Sequence, residues 1–567
     1  MRSLIVRIPK WGVVNALAVL AGVFGGLGAV FFRRSLDFFG FLFQNILNFS
    51  SSLGFGVIGV VLLPAMGGLI VGIIVLAFAQ ETKGHGVPEV IESVNLKGGH
   101  IRPRVALVKI IVSSITISSG GSAGREGPIA QIGATIGSTI GKIARIGREG
   151  TKLIVMSGLA AGIGGTFNAP LGGAIFAIEV INPTIDPRRI IPVFLASVVG
   201  TSVAEIFLGT RPAFSAPSFT IPNPVELALF IPLGIAFGLV SVAWVWAFYK
   251  VEDLFDKLKL SRRLKPALGG FVTGTIGVFA IGYGIMGVGY EGIELAAYGQ
   301  ITILLLLSLG IAKIVTTSFT IGSGGSGGIF APSLFIGMMF GSVFGNIYNQ
   351  FIPTLAEQPF VYGIAGMGAL FAGVAKAPIT SIVIVAEMFD NSHLLPPLMI
   401  SASISYFVSS LLMKDSIYSR KLERRGVHIQ YPRAQMQAVS VSEVMTPVEK
   451  VVKADEHVPV AIISEYFWKY GHNGYPVMTE GTLLGIITLS DVKQVAPGRR
   501  NETKIGEIAT RKLIIAYPED TVLDALEKMT HNDVGRLPVV QRSDQTKLVG
   551  IITRKDVIRA QRTAELG

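Results

Sequence analysis

Glu126 and Arg125 stand in the run Gly120-Gly121-Ser122-Ala123-Gly124-Arg125-Glu126-Gly127-Pro128, between two apolar stretches, residues 105–119 and 129–143. At the centre of a lipid-facing helix each charge costs roughly 2.5–3.5 kcal/mol, so a charged pair here faces protein or water and marks a pathway. Glycines let the chain unwind and bare its N–H groups, and Pro128 suits the first turn of the helix that follows. A helix starting at that point turns free amides and the positive end of its dipole inward, which favours an anion. Adjacent side chains on a helix do not face each other, so Glu126 is poorly placed to be fixed by Arg125. A carboxylate at a glycine bend has room to swing, and buried beside passing anions it is a candidate proton carrier.

The same device returns about two hundred residues later. Gly322-Ser323-Gly324-Gly325-Ser326-Gly327-Gly328-Ile329-Phe330-Ala331-Pro332 precedes a second apolar helix, residues 333–347. Bared amides at Ile329 and Phe330 would form a nest suited to an anion. Each run is followed by a matching segment, Phe167-Asn168-Ala169-Pro170 with Glu179 and Ala375-Lys376-Ala377-Pro378 with Glu387. Glycine-broken segments at corresponding places in two halves point to a transporter whose site lies at the repeat interface. Glu179 and Glu387, at the ends of matching helices, read as structural. Lys109 and Arg125 could raise the local potential for anions.

Gly124-Arg125-Glu126-Gly127-Pro128 and Gly328-Ile329-Phe330-Ala331-Pro332 resemble two signature motifs of the CLC family of chloride channels and proton-coupled chloride transporters. Gly84-His85-Gly86-Val87-Pro88-Glu89 is similar to the family's first motif. The resemblance covers essentially the whole chain. It implies many helices of uneven length, some penetrating only partway, and a homodimer with a separate pathway in each subunit. It makes Glu126 the gating glutamate, in the anion path when charged and aside when protonated. His85, Gly86, Arg125, Gly127, Ile329, Phe330 and Tyr418 then line the anion site. Tyr418 lies in Asp415-Ser416-Ile417-Tyr418-Ser419, where the family places a tyrosine whose hydroxyl reaches the central anion.

Two positions depart from the family pattern. Chloride-preferring members commonly have serine where His85 stands, and nitrate-preferring ones proline. A histidine could donate a ring N–H to the anion, titrate near neutrality, or turn away and leave the backbone to serve; chloride is the default anion. CLC exchangers also often carry an internal glutamate, and an ungapped placement puts Thr210 there, with Glu205 five residues earlier. Proton coupling would then run through water or Glu205, or the protein is a passive channel.

With 567 residues, 50% hydrophobic and 15% charged, and a mean hydropathy of +0.58, the chain is too apolar for an ordinary soluble protein. Its 68 glycines fit helices that pack closely or break. The net charge of +12 does not require nucleic acid, because the cations flank apolar segments: Arg2, Arg7 and Lys10 before the first, Lys414, Arg420, Lys421, Arg424 and Arg425 after the last. Both clusters read as cytoplasmic, which gives a multi-pass protein of the cell membrane with N-terminus and tail inside. The absence of cysteine excludes disulfides and thiolate metal sites. Residues 11–32 read as a retained segment, not a cleaved signal.

Apolar segments are expected to begin near Trp11, Gly54, Val105, Ile129, Leu153, Ile191, Val225, Pro266, Ile301, Ser333, Val361 and Leu394. A charged linker follows, residues 414–437, and then an ordinary soluble α/β sequence. Gly485-Ile486-Ile487-Thr488-Leu489-Ser490-Asp491 repeats as Gly550-Ile551-Ile552-Thr553-Arg554-Lys555-Asp556. Each unit reads strand, helix, strand, strand, helix, the helices at 458–470 and 522–532. The tail resembles a pair of CBS domains, which often bind adenine nucleotides. By that resemblance Asp491 and Asp556 would hold a ribose, with Thr488 and Thr553 near the phosphates of ATP or a relative.

The expected architecture is a polytopic all-α membrane protein with two related halves and re-entrant or broken helices, CLC-like, spanning 1–430. A soluble α/β tandem CBS domain occupies 431–567, its units at about 438–497 and 503–563. The leading function is chloride transport by proton-coupled antiport, gated by Glu126 and regulated by the tail, with no cofactor required. The alternative is a passive gated anion channel of the same family. A CBS-regulated cation transporter ranks below both, since such a path calls for acidic rings or clustered polar oxygens. No Walker loop, zinc-spaced histidines or nucleophile elbow supports an enzyme.

Overall fold

The computed structural model describes residues 10–182, 187–210, 212–215, 217, 224–427, 436 and 439–564. Arg2 and Arg7, the linker residues 428–435 and 437 and the expected 430/431 boundary lie outside them. The chain divides into two compact units at Ile429/Gln430.

In the first unit, seven helices among the described residues are long and apolar enough to cross a membrane. The helix Glu126–Ala144 is not among them, and the first of the seven, Gly12–Ser52, begins where the first apolar segment was expected. Two antiparallel pairs dominate the interior. Glu126–Ala144 lies against Gly147–Phe167, and Phe330–Phe351 lies against Pro359–Ala375. Their backbones approach closely because glycine faces glycine. A Cβ added to Gly133 would come within 2.2 Å of the Gly158 carbonyl oxygen, and one added to Gly337 within 2.5 Å of that of Gly366. Without a hydrophobic drive between helices in lipid, such small-residue contacts supply the packing.

Both pairs end in the same way. Asn168 and Lys376 stop their helices in the left-handed region, at φ 53° and 57°, and an Ala-Pro step starts the short helices Pro170–Phe176 and Pro378–Met388. Proline serves in the first helical turn because its missing N–H would be unpaired there anyway.

The two halves also exchange identical hydrogen bonds. Ser113 and Ser326 share hydroxyls at 3.0 Å, and their counterparts Thr317 and Ser122 do so at 2.9 Å. The Ser122 amide donates to Thr320 Oγ1 at 3.1 Å, and the Ser326 amide to Thr116 Oγ1 at 3.3 Å. Every contact is returned with the halves interchanged, as a local two-fold relation requires.

The second unit holds two three-stranded sheets. Ala454–Asp455 runs parallel to Gly474–Thr479, which pairs antiparallel with Thr482–Thr488. In the other sheet Arg536–Gln541 pairs antiparallel with Asp544–Thr553, and Thr446–Pro447 joins the far edge of that strand. The opening strand of the first repeat thus completes the sheet of the second. The expected helices appear as Val460–Tyr470 and Val522–His531.

Candidate functional site

Three interrupted loops are stitched together through their backbones at the heads of the helices Val87–Leu96, Glu126–Ala144 and Phe330–Phe351. Gly124 and Gly328 exchange N–H and C=O, at 2.8 and 2.6 Å, and Gly84 is bridged to the second run by Gly84 N–H to Gly325 O (2.9 Å) and Gly327 N–H to Gly84 O (3.2 Å). Gly86 sits at φ 83°, and Gly127 lies so close to the His85 carbonyl that a Cβ would come within 2.0 Å of its oxygen. The sequence runs glycine here because three backbones converge on one point.

Glu126 occupies that point. It is 2% exposed, and its Oε1 accepts the Phe330 amide at 2.5 Å. Its carboxylate fills the space that side chains at Gly124 and Gly328 would take, 2.2 and 2.1 Å from their notional Cβ positions. The acceptor on that bared amide is therefore a carboxyl oxygen of a side chain. The Ile329 carbonyl accepts from the Ser333 amide and hydroxyl at 3.0 and 2.7 Å, which fixes this head of the helix. The Phe330 ring packs on Phe167 and Phe371, with centroids 5.5 and 4.5 Å away.

Polar groups are left over at the site. The Tyr418 hydroxyl, both ring nitrogens of His85, Arg125 Nε and Glu126 Oε2 are all buried with no hydrogen-bond partner. Buried polar groups are nearly always paired, so a cluster of orphans asks for a ligand. The His85 and Tyr418 rings lie 5.8 Å apart, flanked by Phe248 and Phe176. Tyr418 is 1% exposed and belongs to the helix Ile417–Glu423, whose start is capped by Ser416 accepting the Tyr418 and Ser419 amides at 3.2 and 3.0 Å.

A cavity opens on either side of this constriction. One of about 530 Å³ is lined by Arg125 with Arg33, Arg34, Asn168 and Tyr290. The other, about 210 Å³, is lined by His85 with Lys83, Glu89, Glu252, Lys421 and Arg425. Arg125 stacks over Tyr290 at 4.6 Å and approaches Phe167 at 6.0 Å.

The candidate residues divide by position. Glu126, His85, Gly86, Gly127, Ile329, Phe330 and Tyr418 gather at the constriction, with Arg125 at the mouth of the larger cavity. Thr210 does not join them: its carbonyl accepts from Asn168 Nδ2 at 3.4 Å, on the Arg125 side. Glu205 lies on the helix Pro187–Leu208, whose last residues line that same cavity. In the tail, Asp491 accepts the Thr488 amide and hydroxyl at 2.8 and 2.7 Å, and Asp556 those of Thr553 at 2.9 and 2.6 Å. Both pairs act as helix caps.

Two residues at the site, Lys313 and Tyr290, escaped the sequence reading. Lys313 is fully buried and donates to the carbonyls of Gly284, Ile285 and Gly287 at 2.8, 3.1 and 3.2 Å. Its counterpart Lys109, also fully buried, holds the carbonyls of Thr82 and Gly84 at 3.0 and 2.8 Å. Each ammonium ties down the loop that begins a helix at the site. Tyr290 opens the helix after the second of these loops. Lys313 stands the same distance before Gly328 as Lys109 before Gly124, a signal that the repeat carried.

Residues 67–410 match the family described as voltage gated chloride channel, and residues 441–498 and 505–563 each match the CBS domain. The chain belongs to this chloride channel and transporter family and carries a CBS pair. It is 33% identical over 450 residues to the H(+)/Cl(-) exchange transporter ClcA of Vibrio cholerae serotype O1, covering 74% of this chain and 94% of the relative. A putative chloride channel protein, ClcB-like, from Ralstonia nicotianae is 29% identical over 64% of this chain and 85% of its own length. Among solved structures, a slow cyanobacterial Cl-/H+ antiporter superposes with a TM-score of 0.67 at 25% identity, covering 74% of this chain and 98% of that one. A eukaryotic CLC transporter at 20% identity covers 96% of this chain and 97% of its own, with a TM-score of 0.60, and shares the fold.

Proposed function

We propose that this chain exchanges chloride for protons across the cell membrane, with Glu126 as both gate and proton carrier. One observation carries the reading: Glu126 accepts the Phe330 amide while the Tyr418 hydroxyl, the His85 ring and Arg125 Nε around it have no partner. A carboxylate that stands in for an anion, in a site with donors to spare, is a closed gate. Protonation removes the charge that makes this hydrogen bond strong. The neutral side chain then gives up the space that Gly124 and Gly328 leave for it, and chloride takes the amide. His85, Gly86, Arg125, Gly127, Ile329, Phe330 and Tyr418 line its path. The exchange activity in the ClcA name and in the cyanobacterial antiporter's description supports the same reading.

Two copies form the working protein, each with its own pathway. The N-terminus and the tail are cytoplasmic, in keeping with the cations Lys421, Arg424 and Arg425 that follow the last apolar segment. The tail regulates transport and takes an adenine nucleotide against the Thr488–Asp491 and Thr553–Asp556 pairs; calorimetry of the whole protein with ATP, ADP and AMP tests this, and a flat titration removes it.

Proteoliposomes with simultaneous chloride and proton readouts test the central claim. Wild type should drive protons uphill along a chloride gradient, and Glu126→Gln should lose proton movement while still passing chloride. A wild-type reversal potential that ignores the proton gradient would make the protein a passive channel instead.

A further inference from the structure

The constriction holds an imidazole that lines the chloride path and has no assigned part in moving protons. His85 is 3% exposed, and both of its nitrogens lack a partner. The ring lies between Tyr418 and the smaller cavity. Thr210 and Glu205, the sequence candidates for an internal proton group, are not among the residues that line the smaller cavity; Thr210 instead meets Asn168, which lines the larger one. We propose that His85 is the proton relay on the Lys421 side of the pathway, passing protons between the smaller cavity and Glu126. The inference rests on the antiport reading above.

The surroundings of the ring supply both ends of such a relay. Carboxylates stand at the cavity: Glu89 on the adjoining helix, and Glu252 and Asp256 on the helix Phe230–Lys257. Glu89 is held by Arg425 at 2.9 Å and Glu252 by Lys421. On the far side lie the unpaired Tyr418 hydroxyl and Glu126 Oε2. Gln131 of the gate helix faces the loop too, near Gly86. Cations face it as well: Lys83, Lys421 and Arg425 in the cavity, and Lys109, whose ammonium sits on the Gly84 carbonyl.

The transfer balances on the ring itself. One nitrogen takes a proton from a hydronium or carboxylic acid in the cavity, which is left as water or carboxylate, as an N–H bond forms. The other releases its proton, by way of a bridging water or the Tyr418 hydroxyl, to the Glu126 carboxylate, where an O–H bond forms as the N–H bond breaks, and the ring is left as the opposite neutral tautomer. Its return to the first tautomer completes the cycle. The four cations facing the ring outnumber the three carboxylates at the cavity, so its charged intermediate is favoured when chloride stands alongside. Proton entry is then eased by an anion in place, which links the two fluxes.

The test is the proton-to-chloride ratio in proteoliposomes, with folding read as chloride flux above that of empty vesicles. His85→Ser should lower the ratio tenfold or more and move the reversal potential toward that of chloride alone. His85→Glu, which restores a titratable group, should recover coupling, as should imidazole added to His85→Gly. If His85→Ser does not transport, His85→Gln takes its place. An unchanged ratio overturns the relay, and so does a lowered ratio that neither Glu nor imidazole restores, since the ring then acts by shape. A wild-type protein that moves no protons removes both this inference and antiport. Coupling that is lost in Glu126→Gln but kept in every His85 variant removes the relay alone.

Discussion

Glu179 and Glu387 cap each other's helices. Glu179 accepts the amides of Ile379 and Thr380 at 3.1 and 2.7 Å, and Glu387 accepts those of Leu171 and Gly172 at 3.0 and 2.6 Å. Each carboxylate ends a helix in its own half and satisfies the free N–H groups, and the dipole, that open the matching helix in the other. The two halves are locked by an exchange that neither could make alone.

Removing either side of that exchange should cost stability. Charge-assisted hydrogen bonds contribute about 1.5–3 kcal/mol, so Glu387→Ala should lower the thermal midpoint of the detergent-solubilised protein. Glu179→Ala should lower it further, because Glu179 also accepts the Thr380 hydroxyl at 2.6 Å. The Gln variants should fall between. A midpoint that does not move would mean that water satisfies the bared amides just as well.

Gly328→Ala should force the gate open. Its methyl group would come within 2.1 Å of Glu126 Oε1, which can swing away, and 2.8 Å of the Gly127 amide nitrogen, where the backbone must give by a few tenths of an ångström. Chloride flux at neutral pH should rise and lose its dependence on external acid. Flux that stays low and acid-dependent would show that the carboxylate and the methyl group fit together.

The motifs that bind were legible because glycine, proline and charge inside apolar sequence have few bland explanations. The gathering of His85, Glu126, Phe330 and Tyr418 followed from them, as did the break after Phe167. The place of Lys313 was signalled by its repeat partner Lys109, but its role was not legible, since a lysine in an apolar helix gives no hint that it will find three carbonyls. Nor were the capping boxes that Asp491 and Asp556 make with Thr488 and Thr553: the Thr-x-x-Asp spacing was read for a ribose alone, and it serves both. The strand Thr446–Pro447 was beyond reach too, because two residues carry no period that could assign them to the sheet of the second repeat.

Lys313→Met should weaken transport by loosening a loop, without touching the anion. The variant keeps the stem and its packing near Phe335 but strands the carbonyls of Gly284, Ile285 and Gly287 in the interior. Unsatisfied buried acceptors cost about 1–3 kcal/mol each where water cannot reach. The thermal midpoint should drop, and amide exchange should quicken at residues 284–292. Lys109→Met should do the same at residues 82–87. Unaltered exchange in both loops would reduce the two lysines to sources of potential.

Glu252→Gln should slacken the helix that carries Tyr418. Glu252 is 5% exposed and pairs with Lys421, while its neighbour Asp253 pairs with Arg424 and the Tyr249 hydroxyl donates to the Ile417 carbonyl at 2.5 Å. These contacts fasten Ile417–Glu423 to the end of Phe230–Lys257 and so fix where the Tyr418 hydroxyl points. Breaking a buried pair from one side costs about 3–5 kcal/mol, because a charge is left uncompensated; here Lys421 is 17% exposed and water will soften the loss. Chloride affinity should fall with stability, and added salt should change little, since screening is weak for buried charge. Combining Glu252→Leu with Lys421→Met should recover most of the stability, for no charge then remains unpaired. The double-mutant cycle measures the coupling directly, and additive losses would show that the pair does not hold the tyrosine in place.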